Sequence, residues 1–91
     1  MNQINIVDIE ASGLGVGSYP IEIAILLDGV VHAWLIKPES TWTYWDEYAE
    51  EIHGITREHL LSDGLPAQQV ADEINRVVAD TNAIFYSKIF T

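Results

Sequence analysis

The sequence contains no cysteine, which excludes a disulfide framework and a thiolate metal site. It is nearly as poor in positive charge: four Lys and Arg stand against 14 Asp and Glu, for a formal net charge of −10. Nonspecific nucleic-acid affinity draws on Lys and Arg neutralising phosphates. The charge balance therefore works against a broad electrostatic grip on a polyanion, and any handling of nucleic acid is expected to run through a metal ion and local contacts. No apolar stretch is long enough to span a bilayer. The N-terminus carries no basic residue ahead of its short apolar run, so no signal peptide is expected. The expectation is a soluble cytoplasmic protein with no membrane partner. At 91 residues the chain makes one small domain with a modest core.

What the chain does contain is concentrated near its start, in Ile4-Asn5-Ile6-Val7-Asp8-Ile9-Glu10-Ala11-Ser12-Gly13-Leu14. The β-branched run predicts a strand over Ile4–Glu10, and side-chain alternation puts Asp8 and Glu10 on the same face as Ile4 and Ile6. Two carboxylates with Cα atoms roughly 6.6 Å apart repel unless something positive lies between them. A hard divalent cation such as Mg²⁺ or Mn²⁺ takes oxygen ligands and meets that need. A strand that simply runs out into solvent would also end in acidic residues. The sequel Ala11-Ser12-Gly13-Leu14 favours the cation, because a tight turn of small residues lets backbone N–H groups approach a ligand closely.

Further elements follow in order. Ile21–Leu27 and Val30–Lys37 read as a hairpin about the two-residue turn Asp28-Gly29. That turn sets Leu27 against Val30, Ile25 against His32, Ile23 against Trp34 and Ile21 against Ile36, with Leu26–Val31 and Ala24–Ala33 on the other face. Both faces are apolar, so the sheet expects cover on both sides. Pro38 breaks the strand, and Thr43-Tyr44-Trp45-Asp46 reads as a capping box opening a helix that runs to His53, with Gly54 at its C-cap. Tyr44, Tyr48 and Ile52 recur every fourth residue, with Trp45 and Ala49 beside them, so one helix face is apolar. Core packing is the main reading of that face, and a base-stacking platform is the other. Thr56 caps a short second helix with Ile55 and Leu60 as a hydrophobic staple, and Pro66 begins a third with the stripe Val70, Ile74, Val77, Val78. That helix is expected to end near Asp80-Thr81-Asn82. Ala83–Ser87 reads as a fourth strand, which a crossover makes parallel to the first. There is no internal repeat, low-complexity tract or linker. The expected architecture is α/β: a three-stranded antiparallel sheet plus a parallel fourth strand, with three helices.

Val7-Asp8-Ile9-Glu10-Ala11-Ser12-Gly13-Leu14, followed by Ile21-Glu22-Ile23-Ala24 and later by Ile52-His53-Gly54-Ile55-Thr56, resembles the motifs of the DnaQ-like, or DEDD, family of 3′–5′ exonucleases. The resemblance runs from Ile4 to Ser87 and corresponds to the N-terminal half of a family domain. It implies a partial ribonuclease H-like fold and identifies residues 1–91 as a truncated exonuclease-like domain. It further implies that Asp8 and Glu10 are catalytic residues and ligands of a Mg²⁺ or Mn²⁺ centre that cuts the 3′-terminal phosphodiester of single-stranded RNA or DNA. Ala11, Ser12 and Leu14 match positions that hold the terminal nucleotide, Leu14 as an apolar wedge. His53 matches a residue lining the nucleotide pocket, and a structural His at a helix end is the alternative. His32 and His59 are assigned to packing or surface. The pattern departs at Lys88, where the family carries its third acid, and the last motif, with its general-base His and fourth acidic ligand, does not follow. The expected activity is therefore nil or very weak, and the alternative is a catalytically silent binding or assembly module. With half of the family's cover lacking, self-association through the exposed sheet face or edge is expected.

Overall fold

The computed structural model describes residues 4–79 and 85–90. It is an α/β fold whose mixed sheet has three antiparallel strands and one parallel strand, with three helices. Strand β1 (Asn5–Ala11) lies between β2 (Pro20–Leu27) and β5 (Phe85–Phe90), and β3 (Val30–Lys37) flanks β2. A two-residue strand β4 (Leu65–Pro66), not foreseen in the sequence, pairs parallel to β3 and completes the order β4-β3-β2-β1-β5. No helix among the described residues is long and apolar enough to cross a membrane.

The hairpin forms in the expected register, with Leu27 opposite Val30, Ile25 opposite His32 and Ile23 opposite Trp34. Asp28 (φ 50°) and Gly29 (φ 81°) both occupy the left-handed region, the turn geometry that matches the twist of flanking strands. The buried Asn5 side chain accepts a hydrogen bond from Asp28 N–H at 3.2 Å, tying this turn to β1.

Helix α1 (Glu47–His53) starts later than the Thr43 capping box predicts. Its cap is Asp46, whose Oδ1 accepts from Tyr48 N–H at 2.9 Å. The preceding stretch is held out of helical conformation: Asp46 N–H donates to Ser12 O at 3.0 Å, and the Tyr44 ring lies against Gly13 and Gly15. The helix closes on Gly54 at φ 74°, as expected. Its orientation overturns the core reading of the Tyr44, Tyr48, Ile52 stripe. Tyr48 is 73% exposed and Ile52 59%, whereas Ala49 is buried and Trp45 packs on the core. The inward face is the one carrying Trp45, Ala49 and His53, because docking Asp46 on Ser12 fixes the helix's rotation about its axis.

Helix α2 (Arg57–Asp63) is capped by Thr56, whose hydroxyl accepts from His59 N–H at 3.1 Å, and the Ile55–Leu60 staple packs in the core with Tyr19 and Ile21. Tyr19 stacks on Trp42 at 5.4 Å beside them. Helix α3 (Ala67–Val78) follows Pro66 and buries Val70 fully, with Ile74, Val77 and Val78 half-buried. Its expected end at Asp80-Thr81-Asn82 lies outside the described residues. Strand β5 (Phe85–Phe90) runs beyond the Ser87 expected as its end, and the expected start at Ala83 lies outside the described residues. The register places Lys88 opposite Asp8.

Candidate functional site

Backbone pairing settles which residues share the carboxylate face. Ile6, Asp8 and Glu10 stand opposite Leu26, Ala24 and Glu22 of β2, and Ala24 and Leu26 stand opposite Ala33 and Val31 of β3. This is the face away from Ile21, Ile25 and Ile36, which are buried. Asp8 and Glu10 sit at the C-terminal end of β1, the end where open α/β sheets place their sites. A register shift follows Glu10, so the strand bulges as it leaves the sheet, a device that re-aims side chains at sheet ends.

Asp8 is half-buried, and its Oδ1 is shielded from water with no hydrogen-bond partner among the described residues. Glu10 is half-buried and in cross-strand register with Glu22, so two like charges meet across the β1–β2 pair. Such a concentration of negative charge at one strand end is what a cation would relieve. In kind, the donors suit a hard ion: they are carboxylate oxygens, one of them orphaned. In number they fall short, because no group of three or more His, Cys, Asp and Glu among the described residues is placed to hold a metal ion.

The turn after β1 is built around Ser12, which is fully buried. Its N–H donates to Tyr19 O at 2.9 Å, its hydroxyl accepts from Tyr19 N–H at 3.1 Å, and its carbonyl accepts from Asp46 N–H. Every polar group of Ser12 is thus engaged in closing the loop and seating α1. Ala11 is half-buried beside it, and Leu14 stands at the loop tip, 83% exposed. Tyr44 is the loop's floor. A Cβ on Gly13 would meet its ring at 2.5 Å, and one on Gly15 would meet its hydroxyl at 2.8 Å, so a larger residue at either position would have to displace the Tyr44 ring.

His53 closes α1. The helix is seven residues long, so this ring lies about 10 Å along the axis from the Asp46 cap that touches Ser12. Its Nδ1 accepts from Ile55 N–H at 3.0 Å, which leaves the proton of the neutral ring on Nε2. That Nε2 is shielded and has no partner among the described residues, and the ring meets Trp45 edge-on at 5.8 Å. Burial lowers the His53 pKa below the ordinary histidine value, an effect the nearby Glu50 carboxylate partly opposes. Trp45 Nε1–H in turn donates to Glu50 Oε1 at 3.0 Å.

Asp8, Glu10, Ala11, Ser12 and Leu14 thus share one strand end and its turn, whereas His53 stands at the opposite end of α1 from the Asp46 cap that touches Ser12, with its contacts to Trp45 and Ile55. Pattern reasoning missed Tyr44 as the loop's floor and Asp46 as its clamp. The one available signal was that Asp46 is itself a strong N-cap residue, three positions inside the expected helix. No family model matches this chain, and no characterised protein matches it as a relative.

Proposed function

We propose that this chain derives from the DnaQ-like 3′–5′ exonucleases, with a partial ribonuclease H-like fold, and that the end of β1 receives the 3′ end of a single-stranded RNA or DNA. The observation that carries this is the orphaned, shielded Asp8 Oδ1 on the same face as Glu10, at the C-terminal end of a strand flanked on both sides. Asp8 and Glu10 are the residues that would hold Mg²⁺ or Mn²⁺. When bound, such an ion supplies Lewis acidity toward a phosphodiester and lowers the pKa of bound water. Leu14 offers an apolar edge to a terminal base, Ala11 leaves room for its sugar beside the backbone, and Ser12 keeps the turn in shape. His53 offers a single N–H donor from Nε2.

Lys88 argues that turnover is nil or very weak. It stands in register with Asp8, at the position where the resembled family carries its third carboxylate, and a protonated lysine cannot ligate a metal. The test is Mn²⁺-dependent release of mononucleotides from end-labelled single strands, expected at background. Robust turnover that disappears in Asp8→Ala would overturn the claim of weak activity. The ion site is tested separately by calorimetric titration with Mn²⁺: identical heats from this chain and an Asp8→Asn/Glu10→Gln variant would remove it.

A second reading, a catalytically silent assembly module, is favoured by the exposure of Val31 (68%) on the open sheet face and of Tyr48 and Ile52 on α1. Self-association through that face or through the β5 edge is the expected behaviour, read by light scattering across a concentration series. A monomer mass persisting at hundreds of micromolar, far above a dissociation constant of about 1 μM, would exclude it.

A further inference from the structure

On the opposite side of the sheet from Asp8 and Glu10, α3 lies beside β3 and leaves an open groove of about 370 Å³ lined by His32, Ala33, Trp34, Glu73, Arg76 and Val77. We propose that this groove binds a small planar ring that carries an anionic group at one end and an N–H donor at the other.

One wall of the groove is aromatic. The His32 and Trp34 rings, two residues apart on one face of β3, are within 14° of parallel with centroids 6.3 Å apart. The indole is held in place, since its Nε1–H donates to Glu73 Oε1 at 3.4 Å while Glu73 Oε2 accepts from Gln69 Nε2 at 3.0 Å. Glu73 is therefore committed to orienting the wall and does not pair with Arg76. No carboxylate among the described residues lies within ion-pair distance of Arg76. In a chain with 14 acidic residues and only four basic ones, a guanidinium at a groove with no carboxylate partner among the described residues is unusual. The guanidinium of Arg57, by contrast, donates to Trp42 O at 2.9 Å.

These features select a ligand. The Arg76 guanidinium, in the lining of the groove, offers a planar fork of donors to a carboxylate or phosphate. The indole and imidazole faces offer stacking to a ring, as aromatic side chains do for bases. The Glu73 carboxylate repels a second anion and accepts from an N–H, which orients the ring with its donor toward Glu73 and its anion toward Arg76. The volume lies at the low end of small-molecule sites, so the groove suits one ring and its substituent rather than a stretch of polymer. A nucleoside 5′-monophosphate and an aminated aromatic carboxylate share this chemistry.

The test is titration of the full chain with adenosine 5′-monophosphate, with 4-aminobenzoate, and with adenosine and inorganic phosphate as separate half-ligands. Tryptophan fluorescence and the NMR shift of the Trp34 indole N–H are followed. Saturable binding tighter than about 1 mM by at least one of the two whole ligands is expected, with neither half-ligand matching it. Which of the two binds identifies the source. Arg76→Gln, at an exposed position, should weaken binding about tenfold or more, as expected for loss of a charge-assisted contact. Asp8→Asn should leave it unchanged, so that failure here and failure of the β1 site remain distinguishable. No saturable binding by either whole ligand, equal affinity in Arg76→Gln, or inorganic phosphate binding as tightly as the nucleotide would each overturn the proposal.

Discussion

Asp8→Asn should stabilise the chain when no divalent cation is present and remove the stabilisation that Mn²⁺ confers. Strand geometry sets the Asp8 and Glu10 Cα atoms roughly 6.6 Å apart. Coulomb's law at that separation gives about 0.6 kcal/mol of repulsion at a dielectric of 80 and about 2.5 kcal/mol at 20. Asp8 is half-buried with one shielded, unpartnered oxygen, so a value between these limits, about 1 kcal/mol, is expected. The asparagine keeps the shape and removes the charge. For a domain of this size 1 kcal/mol moves the melting temperature by about 4–8 °C. Conversely, a two-carboxylate site with a Kd of about 1 mM gains about 1.4 kcal/mol from 10 mM Mn²⁺, by mass action on the folded state. Thermal unfolding followed by far-ultraviolet circular dichroism, in EDTA and in Mn²⁺, reads both effects. The variant should melt higher in EDTA, and only the parent should rise in Mn²⁺, closing the gap. An equal Mn²⁺ shift in both proteins would refute the ion site. A variant that melts lower in EDTA would refute the repulsion argument and mean that a positive group already balances Asp8, Lys88 being the residue in register with it.

Two glycines should fail for different reasons when replaced. A Cβ on Gly64 would meet Leu60 O at 2.5 Å, Lys37 N at 2.6 Å and Ile36 C at 2.8 Å, all backbone, so Gly64→Ala should cost about 3 kcal/mol or more. A Cβ on Gly54 would meet nothing, but its φ of 74° is left-handed, so Gly54→Ala should cost only about 1 kcal/mol. Urea unfolding followed by tryptophan fluorescence ranks them, and the reverse order would show that α2 is not jammed against β3. His53, its pKa lowered by burial, holds fewer protons folded than unfolded. Stability should therefore fall as pH drops through the ordinary histidine value of about 6.5 and level off below the folded pKa. His53→Asn, which keeps an acceptor for Ile55 N–H, should lose less stability than the parent between about pH 8 and pH 5, and parallel losses would contradict the burial argument.

The hairpin was legible because its signals are local. Asp28-Gly29 dictates a two-residue turn, the turn dictates the register, and each pair in the observed ladder follows from it. The caps at Gly54 and Thr56 were legible for the same reason. What local signals could not carry was the pairing of Leu65–Pro66 with β3, because two residues contain no periodicity to read. Nor could they show that β5 would run on through Lys88 to Phe90, since its partner β1 lies at the other end of the chain.

The start and orientation of α1 show where pattern reasoning meets its physical limit. A period of four identifies an apolar face but carries no information about which direction is inward. Here the direction is set from outside the helix, by the Ser12 carbonyl that receives Asp46 N–H and by the glycines that admit Tyr44. Those contacts turn the smaller residues, Ala49 and His53, toward the core with Trp45, and leave Tyr48 and Ile52 in solvent. Both tethers belong to the same short turn that follows Glu10. The alternation that places Asp8 with Glu10 was therefore readable from β1 alone, whereas the surroundings of that pair depend on contacts between residues far apart in sequence. Tyr48 and Ile52 are thereby left uncovered on a helix clamped to the turn beside two carboxylates. The proposed assembly surface needs that pair uncovered, and a base-stacking role for Tyr48 would need the same.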